Sequence, residues 1–225
     1  MDCTIRSCAC GLPEVRGRNC VCVNIIDHEN HLVTTVLQMY NCFVMEQIVT
    51  AVSLNGQHTF VKANQSSINL IAGIGVEGDA HAGETVRHRY LVDKNPNKPN
   101  LRQVHLIQAE LLDELNNNGF SVDPGQLGEN ITTRGIDLPS LPSQTKLCIG
   151  DGAIVELTAL RNPCVQIDEF QEGLLKQTIH KDDKGNPSLK GGVMGVVLAG
   201  GTISPGDSIV VKLPVKPFDD LEYVW

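Results

Sequence analysis

The residues of this sequence best equipped for chemistry are few and widely spaced. In "LTALRNPCVQIDEF", residues 157–170, an apolar run breaks at Arg161-Asn162-Pro163 and presents one cysteine, Cys164, before an acidic, helix-like segment. Pro163 fixes its own φ and biases Asn162 away from helix, so the backbone there is stiff. Arg161 lies close in sequence and favours a thiolate electrostatically. Such a setting suits a thiol that ligates a soft metal or carries sulfur. A buried structural cysteine is the plain alternative, and local features alone do not separate the two. Cys148, in the alternating context "KLCIG", reads as core.

Three further stretches carry polar groups among glycines. "GVEGDAHAGET", residues 75–85, could bring backbone N–H groups close to an anion; a tight turn would use the same residues. Asp79 and His81 within it do not make a metal site, because no third ligand follows at a telling spacing. "NLRQVHLIQAE", residues 100–110, is expected to open a helix with Arg102, Gln103 and His105. A helix N-terminus with an arginine fork attracts anions; a solvated first turn is the alternative, and His105 reads as a satisfied core or boundary histidine. "GQLGENITTRGIDL", residues 125–138, sets Glu129, Asn130, Thr132, Thr133 and Arg134 between glycines. That pattern fits a loop lining a cleft, or a pair of ordinary turns. The amino-terminal "CAC…CVC" has one-residue spacings that do not match the usual zinc knuckle.

These groups must be held by short elements. Residues 48–54 and 58–62 read as strands around an Asn55-Gly56 turn, and 68–72 as another strand. In "LRQVHLIQAELLDELNNNGF" the spacing of Val104, Ile107, Leu111, Leu112 and Leu115 predicts a helix that Gly119 stops. Beyond it, β-branched runs alternate with glycine, proline and aspartate turns, which predicts a curled sheet or barrel. "IGDGAIVEL" and "PGDSIVVKL" look like two similar corners of it. Residues 180–192, polar and turn-rich, are expected to form a mobile loop. The predicted class is therefore mainly β with a few helices (α+β).

Composition sets the limits. With 225 residues, 41% hydrophobic and 20% charged, the chain has the makings of one sizeable globular core. A net charge of −8 argues against general nucleic-acid binding but leaves room for a local basic pocket. No stretch near the start is long and apolar enough to span a bilayer, and no secretory signal is evident, so the cytoplasm is the expected location. Five of eight cysteines fall in the first 22 residues. Without secretion a disulfide framework is not expected. Residues 1–44 read as a cysteine-rich, poorly ordered extension and 45–225 as the domain, with Met45 its natural start.

In their order, "GVEGDAHAG", "LRQVHLI", "GQLGENITTRGIDL", "LCIGDGAIVELT", "RNPC" and "GVMGVVLAGGTISPGDSIVV" resemble the MOSC family, named for the molybdenum cofactor sulfurase C-terminal domain. The resemblance covers about residues 46–215 and is closest to small stand-alone members. It implies a β-barrel-rich fold and a pocket for the molybdenum cofactor, a pterin that carries a phosphate and a dithiolene-bound metal. It implies Cys164 as a molybdenum ligand, as in amidoxime-reducing relatives, or as a sulfur carrier, as proposed in others. It makes Lys62, Gly78, Asp79, His81, Arg102, Glu129, Asn130 and Arg161 cofactor-pocket candidates. The chain is too short to hold a pyridoxal-phosphate desulfurase domain beside this barrel, and it shows no ferredoxin-like cysteine cluster. Sulfur or electrons are therefore expected from a partner: a cysteine desulfurase, or an electron-donor protein serving a small-molecule substrate. Three functions follow: a molybdenum-dependent reductase of N-hydroxylated compounds, a persulfide or cofactor carrier, or a non-catalytic interaction module.

Overall fold

In a computed structural model of the chain, residues 46–88, 92–181 and 187–223 are described. The predicted extension and Met45 lie outside them, with Cys3, Cys8, Cys10, Cys20, Cys22 and Cys42. The chain is mainly β with short helices. Its strands are β1 (Ile48–Leu54), β2 (Ala63–Gln65), β3 (Ile68–Ile71), β4 (Gly75–Val76), β5 (Val104–Gln108), β6 (Ile131–Arg134), β7 (Lys146–Ile149), β8 (Ala153–Leu160), β9 (Ile179–Lys181), β10 (Pro187–Leu189), β11 (Val193–Ala199), β12 (Gly201–Ile203) and β13 (Ile209–Lys212). The helices are α1 (Ala109–Asn117), α2 (Gln166–Phe170) and α3 (Leu174–Thr178).

Eight strands form one sheet in the order β13-β7-β8-β11-β5-β6-β1-β2. Strand β8 shows why such segments become strands: Ala153, Val155, Leu157 and Ala159 are buried while the residues between them are half-buried, the period of two that a half-covered sheet requires. The sheet is open, so the expected closed barrel is corrected in one respect. The outer edge of β1 is shared: Val52, Ser53 and Leu54 pair with β2, leaving only its start for the far end of the sheet. There a lone bridge joins Ile48 to Ser208, and the Val49 N–H donates to the Asp207 carbonyl at 2.9 Å. The sheet curls far enough to bring its ends together, without a continuous ladder across the seam.

Two apolar clusters result. One, with Val52, Leu70, Leu106, Leu147, Val155 and Leu157, fills the inside of the curl. The second, with Ile107, Leu111, Leu112, Leu115, Val122, Leu127, Ile167 and Leu174, packs the helices against the other face of β5. That double coverage explains a misreading. The segment Val104–Gln108 is a strand, not the opening of a helix, and α1 starts only at Ala109. A strand covered on both faces loses its alternation, and over these five residues the apolar Val104, Leu106 and Ile107 mimic a helix start. The helix does end where Gly119 adopts φ +91°.

Two other expectations change. The β1–β2 hairpin exists, but its second strand begins at Ala63, and residues 55–62 form a broad loop. The Asn55 side chain directs it, accepting from the Gln57 N–H at 2.9 Å and donating to Thr59 Oγ1 at 2.6 Å. The flanks of the predicted mobile loop pair as a β9–β10 hairpin, while residues 182–186 lie outside the described residues. Past β13 the chain returns to the end of β8: Leu221 is buried, the Leu160 N–H donates to the Glu222 carbonyl at 2.9 Å, and Leu160 bridges Tyr223.

Candidate functional site

A cleft of about 320 Å³ opens where the broad loop, β5 and the Cys164 segment meet. The loop supplies His58, Thr59, Phe60 and Lys62. Further lining comes from His81, His88 and Arg102 before β5, from His105 on it and from Asn130 at the start of β6. Arg161, Asn162, Cys164 and Gln166 follow β8, and Met194 belongs to β11. In a chain of net charge −8 this concentration of arginine, lysine and imidazole makes a local basic pocket.

Asp79 organises one part of it without lining it. One oxygen receives the Lys62 ammonium at 2.7 Å and the Asn130 amide at 2.9 Å. The other accepts from the His81 N–H at 3.0 Å and lies 3.3 Å from His81 Nδ1. Burial works to raise the Asp79 pKa, but the bonds from His81 and the Lys62 charge outweigh it, and the carboxyl stays well below the usual range. Burial holds the Lys62 ammonium below its ordinary pKa in spite of its partner. Asn130 is fixed from three further sides: its N–H donates to the His105 carbonyl, its Oδ1 accepts from the His105 N–H at 3.2 Å, and its amide also reaches the Ser53 carbonyl.

The other part is less satisfied. Arg102 and Arg161 are half-buried, yet Arg102 Nε and Arg161 Nη1 are shut away from solvent with no acceptor. Burial lowers the pKa of both guanidiniums, which still carry their charge. Arg161 lies over the Phe60 ring, 5.9 Å from its centroid. Cys164 is free and half-buried, its Sγ 3.6 Å from Gln166 Oε1. Its loop packs on Gly191-Gly192, where a side chain at Gly192 (φ +92°) would meet Ile107 Cγ1 at 2.6 Å. His105 lies beneath, 5% exposed, its Nε2 2.9 Å from the Gly191 carbonyl, and burial with the nearby Arg161 charge pushes its pKa down to about 3. His88 is pushed down to about 4, by burial first and then by Arg102.

Of the candidates read from the sequence, Lys62, His81, Arg102, Asn130, Arg161 and Cys164 line this one cleft. Asp79 supports it from behind. Glu129 is fully buried beneath the adjoining loop, accepting from the Gly125 N–H at 2.5 Å and the Leu127 N–H at 3.2 Å; burial raises its pKa. Gly78 lines nothing and serves the turn, at φ +77°. Arg102 is not at a helix N-terminus, so that part of its rationale falls, and Gln103 is structural, bridging the Gly73 carbonyl and the Val197 N–H. His58, Phe60, His88 and Met194 were not singled out from sequence. For His58 and Phe60 the signal, polar and aromatic residues in "GQHTFVK", read as a strand; His88 and Met194 carry no local signal. Cys148 is half-buried on β7, not in the core. Among the described residues no three His, Cys, Asp or Glu side chains converge on a metal position, and no helix is long and apolar enough to cross a membrane.

The fold is similar to that of the YuaD protein from Bacillus subtilis, with a TM-score of 0.59 and 20% identity over 76% of this chain and 100% of that one. It is also similar to the crystal structure of a hypothetical protein, with a TM-score of 0.50 and 18% identity over 77% of this chain and 70% of the other. YiiM from Escherichia coli aligns with a TM-score of 0.48 and 16% identity, over 76% of this chain and 73% of that one. No curated protein matches the chain. The MOSC domain profile matches residues 78–210, from the turn before Asp79 through the thiol loop and into β13, and so the chain belongs to the MOSC domain family, which is associated with binding of the molybdenum cofactor.

Proposed function

We propose that this cleft binds the molybdenum cofactor and reduces N-hydroxylated compounds, with Cys164 as the protein's thiolate ligand to molybdenum. The observation that carries the reading is the pairing of a free thiol with two buried guanidinium nitrogens lacking acceptors in the same cleft. Such nitrogens are costly unless an anion completes them. The residues present therefore fit a group that ends in phosphate and carries a soft, thiolate-binding metal.

Arg102 and Arg161 would hold the phosphate and Cys164 the metal, while Phe60 and Met194 give an apolar surface for the ring system. When bound, the cofactor supplies the two-electron chemistry. The chain's own work is to seat the thiol, neutralise the phosphate and keep the buried Lys62–Asp79 pair from competing for it. A small N-hydroxylated molecule is the substrate, and electrons come from a separate donor protein in the cytoplasm.

The test is molybdenum content and amidoxime reduction in protein produced by a cofactor-making host, comparing wild type with Cys164→Ser. Metal near one per chain in wild type, lost with activity in the variant, supports the reading. Equal metal and activity in both refutes the ligand role. The half-exposed Cys164 thiol also favours a second reading, a persulfide carrier charged by a cysteine desulfurase. That one predicts a sulfur adduct on Cys164 by intact mass and no molybdenum.

A further inference from the structure

We propose that His81 is the proton donor to the departing oxygen, and that Asp79 is its positioning residue. This rests on the reductase reading above and adds a role for two groups that metal and phosphate binding leave unused. Reduction of an N-hydroxylated compound breaks the N–O bond and consumes two electrons and two protons. The electrons come from the donor protein; one proton goes to the oxygen, which leaves as water, and the second goes to nitrogen from solvent. Protonating the leaving oxygen is work for a positioned acid.

The cleft offers few. Lys62 is only 4% exposed at its side chain and is committed to Asp79 at 2.7 Å. Arginine does not release its proton. His105 is sealed beneath, against the Gly191 carbonyl, and both His105 and His88 are held neutral by burial and neighbouring cations. His58 and His81 remain, both lining the cleft, and His81 is the one with a fully buried carboxylate 3.3 Å from Nδ1 to orient it, its side chain 30% exposed. A carboxylate only accepts, so Nδ1 carries the hydrogen and Nε2 is the nitrogen left to exchange protons with the cleft. Solvent access on the same ring allows reloading. The titratable groups that face it are Asp79 from its own loop, His58 from the β1–β2 loop, edge-on at 5.1 Å, and His88 beyond, with Lys62 behind Asp79.

The full chain loaded with cofactor would be assayed with reduced methyl viologen and benzamidoxime. His81→Gln is expected to lower kcat roughly a hundredfold, with KM and molybdenum content unchanged. Added imidazole should restore part of the rate to His81→Gly. A second readout needs no cofactor: nitrogen-15 NMR should show His81 as the Nδ1–H tautomer in wild type and not in Asp79→Asn. A His81→Gln protein with wild-type kcat, or an Nε2–H tautomer in wild type, overturns the inference and leaves the reductase reading intact. Wild-type protein that holds molybdenum and reduces no N-hydroxylated compound overturns both.

Discussion

Lys62, Asp79, His81 and Asn130 bond to one another, whereas Arg102 and Arg161 face the same cleft with donors left over, beside the free thiol of Cys164. Lys62, Asp79 and Asn130 of the first set behave as scaffold, and the ring of His81 is held against them at the cleft. The charges of this set cancel and its hydrogen bonds tie the 75–83 loop to β6 and to the chain entering β2, so its cost of burial is met inside the protein. The second set is incomplete by itself, and an anion or metal would complete it. A buried group with a partner marks what the fold needs. A buried group without one marks what the fold is kept for.

The contrast can be broken most forcefully at Asp79. Asp79→Ala leaves the buried Lys62 ammonium without its carboxylate partner and should cost about 3–5 kcal/mol, seen as a lower denaturant midpoint in the cofactor-free protein. Next in size is Gly192→Ala, which places a methyl against Ile107 at a left-handed φ; a loss of about 1–3 kcal/mol is expected by the same measurement.

A smaller effect concerns pH. His105 is neutral in the folded protein down to about pH 3, while an unfolded histidine takes up its proton near about 6.5. Between those values the unfolded state binds more protons, so stability falls as pH falls, by at most about 1.4 kcal/mol per pH unit from this group. His105→Gln should flatten that slope in chemical denaturation curves between about pH 6 and 4. The smallest loss of stability is expected for Arg102→Gln and Arg161→Gln, no more than about 0.5 kcal/mol, because neither guanidinium nitrogen in question has a protein acceptor to lose. These variants should instead weaken phosphate or cofactor retention about tenfold or more, measured by equilibrium dialysis. Stability loss that matched Asp79→Ala would erase the distinction.

How much of this was legible in the sequence depends on range. Strands β3 and β8 were readable because one face of each is buried and the period of two survives, and β1 because the Asn55-Gly56 turn marks its end. The site residues Cys164, Arg161, Asn130 and Lys62 were found as a set only through resemblance to a family, since nothing local says that positions about a hundred residues apart share a cleft. The start of α1 was misplaced because Val104–Gln108 is covered on both faces, which removes the period that separates strand from helix. His58 and Phe60 were missed for a related reason: a loop fastened by the Asn55 side chain looks, residue by residue, like the second strand of a hairpin. Long-range satisfaction, such as the Asp79–Asn130 bond, has no local signature at all.

The return of the chain to the end of β8 gives the cleft a support from outside its own lining. Leu160, immediately before Arg161, is fastened by Glu222 and Tyr223, which lie beyond the part of the chain shared with the family profile. The thiol loop therefore springs from an anchor supplied by the far end of the chain, and a change at Glu222 or Tyr223 would reach Arg161 and Cys164 through the backbone at Leu160.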